Sequence, residues 1–288
     1  MAHSRLANPS ATFAVLNNHG IYTRKALGQH FLIDDNVVGR ILALAGLSGD
    51  EPVLEVGPGI GTLTVALCDA AAWVVSVERD ARLLPVLQQT SGGCENLTLV
   101  HADAVDVSPT QLSTPLGPPV ALVANLPYAV AATVVLRSFE VLPSLRVAVV
   151  MVQSEVADRM TAVPGTKEYG AYTVKLNLLA RAAGRFSVAR GCFLPPPRVD
   201  SAVLRLERVQ EVAPSEYVRA AMSMADASFA QRRKKLRNSV MNALRPDSVL
   251  LDAVLAEACI DGDRRGETLT VQEFLRLGEA ALRHGLLP

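Results

Sequence analysis

The sequence predicts an α/β fold, a mainly parallel sheet with helices on both faces, followed by a small all-α domain. Three observations carry this. Short apolar runs alternate with helical patterns as far as about Val209. A glycine turn directly follows the first long run. Beyond Val209 the strand-like runs stop and only helical spacing continues. At 288 residues and 50% apolar composition, the chain can bury one large core and a smaller one.

The elements follow in order. Residues 1–22 hold Arg5 but no continuous apolar stretch of the signal-peptide kind, and are expected to be a flexible extension. Residues 36–45 have helical apolar spacing. Residues 52–56 are an apolar strand, 61–71 a helix, 73–77 a strand and 81–89 a helix. Further strands are expected at 97–101, 120–124, 147–153 and 201–206. Residues 120–136 form the most apolar window, but Asn125 and Pro127 interrupt it and it is too short for a bilayer, so strand, turn and helix explain it better. Helices are expected at 215–227, 232–244, 248–258 and 271–284, the last opened by a capping box with Thr270 as cap and Glu273 three residues on. The domains are then 1–22 as extension, 23–209 as a ligand-binding catalytic domain and 210–288 as a helical domain.

Charge and cysteine usage narrow the function. Lys plus Arg equals Asp plus Glu at 28 each, so the chain has no overall basic coat and any nucleic-acid footprint must be local. Cys68, Cys94, Cys192 and Cys259 form no C-x-x-C pair, which points to reduced thiols in a cytoplasmic protein and to no metal site.

Chemistry is suggested at three successive strand tips. Residues 53–61 (VLEVGPGIG) run from a strand through a glycine turn, with Gly57 and Gly59, into a helix, which lets a ligand approach bare backbone. Glu78 ends the next strand, where a carboxylate can bind ribose hydroxyls. A nucleoside-containing ligand is implied. The glycine spacing is one residue short of the dinucleotide fingerprint, and Glu55 beside the turn would repel a pyrophosphate. S-adenosylmethionine has no phosphate and carries a positive sulfonium. Asp103, followed by Ala104, stands after the third strand, where it can accept from the cofactor's adenine amine or simply close an Asx-turn.

Asn125-Leu126-Pro127-Tyr128 follows the strand at 120–124. The N6 lone pair of adenine is delocalised into its ring and is a poor nucleophile. Acceptors at the Asn125 side chain and the Leu126 carbonyl can each take one N6 proton, draw the nitrogen toward tetrahedral geometry and aim its lone pair at a methyl donor. Pro127 removes a competing N–H, and Tyr128 can stack on the base. The same four residues also suit an Asn-Pro turn leaving a buried strand.

Together these residues resemble the S-adenosylmethionine-dependent rRNA adenine N6-methyltransferases, most closely the KsgA-type small-subunit rRNA dimethyltransferases. The resemblance runs from about Arg24 to the C-terminus. It rests on residues 25–32 (KALGQHFL), 55–61, Glu78, Asp103-Ala104, 125–128, 153–159 (QSEVADR), 193–203 (FLPPPRVDSAV) and 231–238 (QRRKKLRN). It implies a Rossmann-like class I methyltransferase fold, S-adenosylmethionine as cofactor with S-adenosylhomocysteine as product, and dimethylation of adenosines, two adjacent ones, in a 3'-terminal loop of 16S rRNA. It implies cofactor contacts at His30, Leu32, Gly57, Glu78, Asp103 and Asn125, with Gln29 and Ala104 nearby, and Phe193 facing Tyr128 across a flipped base. Phe193 read from its surroundings alone is a core aromatic beside the rigid Pro195-Pro196-Pro197 loop.

The expected transfer is direct and in line, with no covalent enzyme intermediate. For RNA, Arg232, Arg233, Lys234, Lys235 and Arg237 form a basic cluster in a segment with as many acidic as basic residues. Arg198, Arg24 and Lys25 are weaker candidates near the cleft. The expected partner is small-subunit rRNA or an assembly intermediate, with a monomeric, cytoplasmic protein and no membrane. The alternatives are a large-subunit rRNA methyltransferase of the macrolide-resistance type, a ribosome-assembly factor acting mainly by binding, and a nicotinamide-dependent oxidoreductase, which the short glycine spacing disfavours.

Overall fold

The structure is a computed structural model that describes residues 3–21, 30–210 and 213–287. Helix α1 (Pro9–Asn18) precedes the short strand β1 (Phe31–Leu32) and helix α2 (Asp35–Ala45). There follow β2 (Pro52–Val56), α3 (Thr62–Ala70), β3 (Trp73–Glu78), α4 (Leu84–Thr90) and β4 (Leu97–His101). Next come β5 (Ala121–Asn125), α5 (Ala131–Val141), β6 (Val147–Gln153), α6 (Ser154–Met160), α7 (Ala171–Leu179), β7 (Ala180–Val188), β8 (Phe193–Leu194) and β9 (Ser201–Arg208). The chain closes with α8 (Ser215–Phe229), α9 (Leu236–Leu244), α10 (Ser248–Glu257) and α11 (Val271–Arg283).

Among the described residues seven strands make one sheet in the order β4-β3-β2-β5-β6-β9-β7, while β1 and β8 pair separately. Strands β4, β3, β2, β5 and β6 are parallel neighbours, and β9 lies antiparallel to β6. Every residue of β2 is buried, Glu55 included, so the strand does not alternate between apolar and polar residues. The chain leaves β2 toward β3 and β4, then returns to β5 on the other side. That reversal opens a crevice at the carboxyl ends of β2 and β5, where open α/β sheets bind ligands.

The chain divides into two compact units: the described residues of 1–157 with 182–208, and those of 158–181 with 209–288. A single boundary near 209, as the linear sequence suggests, therefore leaves out one exchange. Residues 158–181 join the helical unit because Tyr169, Val174 and Leu178 are buried in its core with Met224, Leu236 and Phe274. The Tyr169 hydroxyl donates to the Leu269 carbonyl across 2.8 Å. The expected capping box forms at α11, with the Thr270 N–H donating to Glu273 at 2.8 Å and the Glu273 N–H donating to the Thr270 hydroxyl at 3.2 Å.

Two expectations need correction. Residues 3–20 are folded onto the first unit: Asn8 caps α1 with Pro9 at its first position, and Leu6, Ala7, Thr12 and Leu16 are buried. Helix α9 begins at Leu236, so residues 232–235 form a turn before it. Strand β7 escaped the sequence reading because its residues are mostly polar, small or exposed. No helix among the described residues is long and apolar enough to cross a membrane.

Candidate active site

Gly57 follows β2 directly, with φ +69°, a conformation that costs little only for glycine. Its N–H donates to the Val77 carbonyl at 2.9 Å, and a Cβ built on it would lie 2.9 Å from Pro127 Cδ. The tips of β2 and β5 thus touch through a glycine and a proline, and a cleft of about 760 Å³ opens beside them.

Asn125 is the last residue of β5. Its Nδ2 donates to the His30 main-chain carbonyl at 3.4 Å, which turns Oδ1 away as the acceptor end. The Leu126 N–H donates to the Met151 carbonyl at 3.1 Å, continuing the sheet and orienting its peptide. Tyr128 is half-buried, and its hydroxyl shares a 2.7 Å hydrogen bond with Ser201, the first residue of β9. Burial raises the Tyr128 pKa, with the Ser201 bond opposing. The His30 ring stacks beside the Tyr128 ring, centroids 5.6 Å apart and planes 28° apart. His30 Nδ1 lies 2.8 Å from the Pro195 carbonyl, which can only accept, so Nδ1 carries the proton.

Of the four carboxylates that line the same cleft, Glu78, Asp103 and Glu55 each have their own set of partners. Glu78 ends β3, almost fully buried, and accepts from the Asp80 N–H at 2.7 Å and the Gly59 N–H at 3.3 Å. Burial nevertheless raises its pKa. Asp103 accepts from the Val105 N–H at 3.0 Å, the Asx-turn anticipated from sequence, while its other oxygen pairs with Arg79 at 3.1 Å. Glu55 is fully buried behind the glycine turn, where one oxygen accepts from Ser76 at 2.5 Å and Thr64 at 2.7 Å. Burial pushes its pKa up to about 7.

The charge of the cleft discriminates between ligands. It is lined by Glu55, Glu78, Asp80 and Asp103 against Arg79 and Arg82. Both guanidiniums already face carboxylates, Arg79 on Asp103 and Arg82 on Asp80. Even with Glu55 left out because burial favours its protonated form, Glu78, Asp80 and Asp103 outnumber the two guanidiniums, which fits a sulfonium-bearing nucleoside and opposes a pyrophosphate. Among the described residues there is no cluster of His, Cys, Asp and Glu fit to hold a metal ion.

Of the residues expected at the site, His30, Leu32, Gly57, Gly59, Glu78, Asp103, Ala104 and the four from Asn125 to Tyr128 all line this one cleft. Gln29, Arg24 and Lys25 lie outside the described residues. Phe193 is not brought to it. Paired with Leu32 in the β1–β8 sheet and only 2% exposed, it belongs to the apolar core with Val38, Ile41 and Val188, so the ring beside Tyr128 is that of His30. Arg198 is exposed in the loop before β9. Sequence reasoning gave Ser201 no role, although it is the serine of the quoted residues 193–203.

The basic cluster is divided rather than continuous. Arg232 pairs with Glu267 at 3.1 Å and donates to the Tyr169 carbonyl at 2.8 Å. Lys235 pairs with Asp263 at 3.0 Å and Arg237 with Asp252 at 2.7 Å. Arg233 and Lys234 are exposed and form no ion pair among the described residues.

The family model for ribosomal RNA adenine dimethylase matches residues 21–277. The ribosomal RNA small subunit methyltransferase A of Bacillus mycoides is 38% identical over 291 residues, covering 98% of this chain and 99% of its own. The protein of that name from Bacillus cereus strain AH187 is also 38% identical, with the same coverage. A dimethyladenosine transferase from Plasmodium falciparum shares the fold, with a TM-score of 0.74 at 24% identity over 89% of this chain and 98% of its own. The 23S rRNA methyltransferase ErmE gives 0.64 at 30% identity, over 87% and 98% respectively.

Proposed function

This chain belongs to the ribosomal RNA adenine dimethylase family, and on that premise we propose that it transfers methyl groups from S-adenosylmethionine to the N6 amine of adenosines in small-subunit rRNA. It is an S-adenosylmethionine-dependent (adenine-N6,N6)-dimethyltransferase. The observation that carries the reading is the presence of Asn125 and Glu78 in one cleft, an acceptor for the target amine beside a carboxylate suited to a ribose.

S-adenosylmethionine supplies an activated methyl group. Glu78 would hold the ribose hydroxyls, Asp103 would accept from the cofactor's adenine amine, and the backbone about Gly57 and Gly59 would let the ligand lie close. Asn125 Oδ1 and the Leu126 carbonyl accept the N6 protons of the target base and direct its lone pair into the cleft. Tyr128, held by Ser201, offers its ring to the base. After one methylation a single N6 proton remains, so one of the two acceptors suffices for the second transfer. The proton leaves after transfer, when the alkylated nitrogen is strongly acidic, so no dedicated base is required.

We assign rRNA contact to the helical unit, chiefly through Arg233 and Lys234, with Arg198 as a further phosphate contact on the first unit. Two adjacent adenosines of a 3'-terminal loop are the intended targets, and the protein acts as a cytoplasmic monomer. Supplying isolated small and large subunits with S-adenosylmethionine labelled in its methyl group tests the reading. Label in small-subunit rRNA supports it, and label confined to large-subunit rRNA would move the chain to the other branch.

A further inference from the structure

The N-terminal segment is fastened to α2, which follows the cleft-lining strand β1, and to the end of α4, which follows the cleft-lining Leu83, and nothing in the transfer chemistry accounts for it. On one side, the main-chain N–H groups of His3 and Ser4 donate to the Asp35 carboxylate at 3.0 and 2.7 Å, in the first turn of α2. The His3 ring lies over Gly39 in the middle of that helix, where a built Cβ would come within 2.5 Å of it. Glycine in a helix interior is destabilising, and here the missing side chain makes room for His3.

On the other side, Arg5 donates to the Thr90 carbonyl at the end of α4. The Thr90 hydroxyl in turn donates to the Ile60 carbonyl at 2.9 Å, inside the glycine turn. Between these anchors, Leu16 of α1 is buried with Phe31, Ile60, Leu83 and Val86. Phe31 and Leu83 line the cleft.

We propose that residues 3–18 form a positioning strap for the cofactor site. Arg5, acting through Thr90 on Ile60, and His3, acting through Asp35 and Gly39 on α2, hold the glycine turn and the β1 wall at the separation that grips the ligand. The strap touches neither Asn125 nor Tyr128, so its release lowers cofactor affinity and spares the transfer step. This inference rests on the reading of the cleft as an S-adenosylmethionine site.

Calorimetry with S-adenosylhomocysteine on the full-length protein, together with steady-state kinetics, tests it in Arg5→Ala, Arg5→Lys and Gly39→Ala. The two alanine variants are expected to raise the Kd and the cofactor KM by about fivefold or more while kcat stays within about twofold, a coupling of ordinary size. Arg5→Lys keeps a donor for the Thr90 carbonyl and is expected to recover most of the affinity. Wild-type Kd in both alanine variants would overturn the strap, as would a loss of kcat in step with thermal stability and no rescue by lysine. Failure of the wild-type protein itself to bind S-adenosylhomocysteine is a separate result and would overturn the cofactor reading beneath it.

Discussion

The Asn125 carboxamide nitrogen and the His30 main-chain carbonyl are joined across 3.4 Å, linking the tip of β5 to the residue that enters β1. That bond decides which end of the amide faces the cleft. A donor spent on protein leaves an acceptor for substrate, and an acceptor is what an exocyclic amine with two N–H bonds requires. The same His30 stacks beside Tyr128 and bonds to Pro195, so one residue orients the amide, flanks the aromatic ring and anchors the proline loop.

Tyr128→Phe keeps the ring and removes the hydroxyl bonded to Ser201. A neutral hydrogen bond of this kind contributes about 1 kcal/mol, so kcat/KM is expected to fall roughly fivefold. Ser201→Ala should give a similar loss, and the double variant no more than either alone. Tyr128→Ala loses the stacking surface too and should fall much further, mainly in RNA KM. Full additivity of the Phe and Ala changes in a double-mutant cycle would show that the hydroxyl pair does not act as a unit.

Gly57→Ala tests the contact between the two strand tips. The new Cβ must adopt φ +69° and lies 2.9 Å from Pro127 Cδ, so both backbone strain and displacement of Pro127 follow. A stability loss of about 1–3 kcal/mol in urea unfolding is expected, with weaker S-adenosylhomocysteine binding. Wild-type affinity and stability would mean that the loop yields without cost.

Glu55 makes stability depend on pH in an unusual direction. Its carboxyl is raised by burial from 4.5 to about 7 in the folded protein, so the folded state holds this proton more tightly than the unfolded chain does. Stability from this group is full below about pH 4.5 and is lost as pH rises through 7. The gap corresponds to roughly 3 kcal/mol at most. Glu55→Gln can still accept from Ser76 and Thr64 but does not titrate. The variant should match the wild type near pH 5 and exceed it at pH 8, and urea unfolding at the two values will show whether the difference has that sign.

The basic cluster should separate into two behaviours. Arg233→Ala and Lys234→Ala are expected to weaken rRNA binding and each lower the slope of log affinity against log salt by about 1, without moving the melting temperature. Arg232→Ala removes the pairing with Glu267 and the bond to the Tyr169 carbonyl, and should lower the melting temperature instead. Binding titrations at several salt concentrations, alongside thermal melts, distinguish these outcomes.

What the linear chain revealed depended on where the information is stored. Strands β2 and β6 were legible to the residue because strands buried along nearly their whole length run mostly apolar, whereas the partly buried edge strand β4 was legible from its Leu, Thr and Val residues and the turn residues before it. The cleft was legible because its residues follow strand ends, at Gly57, Glu78, Asp103 and Asn125. The N-terminal helix was missed although Asn8-Pro9 is a helix-start signal, because a short run with modest apolar content does not reveal that Leu16 has a partner in Ile60. Phe193 shows the converse limit. An aromatic beside a proline loop suits a base platform or a core, and only its pairing with Leu32 decides for the core. Similarly, no local pattern tells Arg232 from Arg233, since the difference is made by Glu267, far along the chain.

The central claim is that Asn125 presents an acceptor to an adenine amine in small-subunit rRNA. Its most direct test is mass spectrometry of nucleosides from small-subunit rRNA incubated with S-adenosylmethionine and either the wild-type protein or Asn125→Ala. The account predicts N6,N6-dimethyladenosine with the wild type and a rate at least about 100-fold lower with Asn125→Ala, the size expected for losing a principal transition-state hydrogen bond. Dimethyladenosine formed at the wild-type rate by Asn125→Ala, or a methylated product other than N6-methylated adenosine, would contradict it.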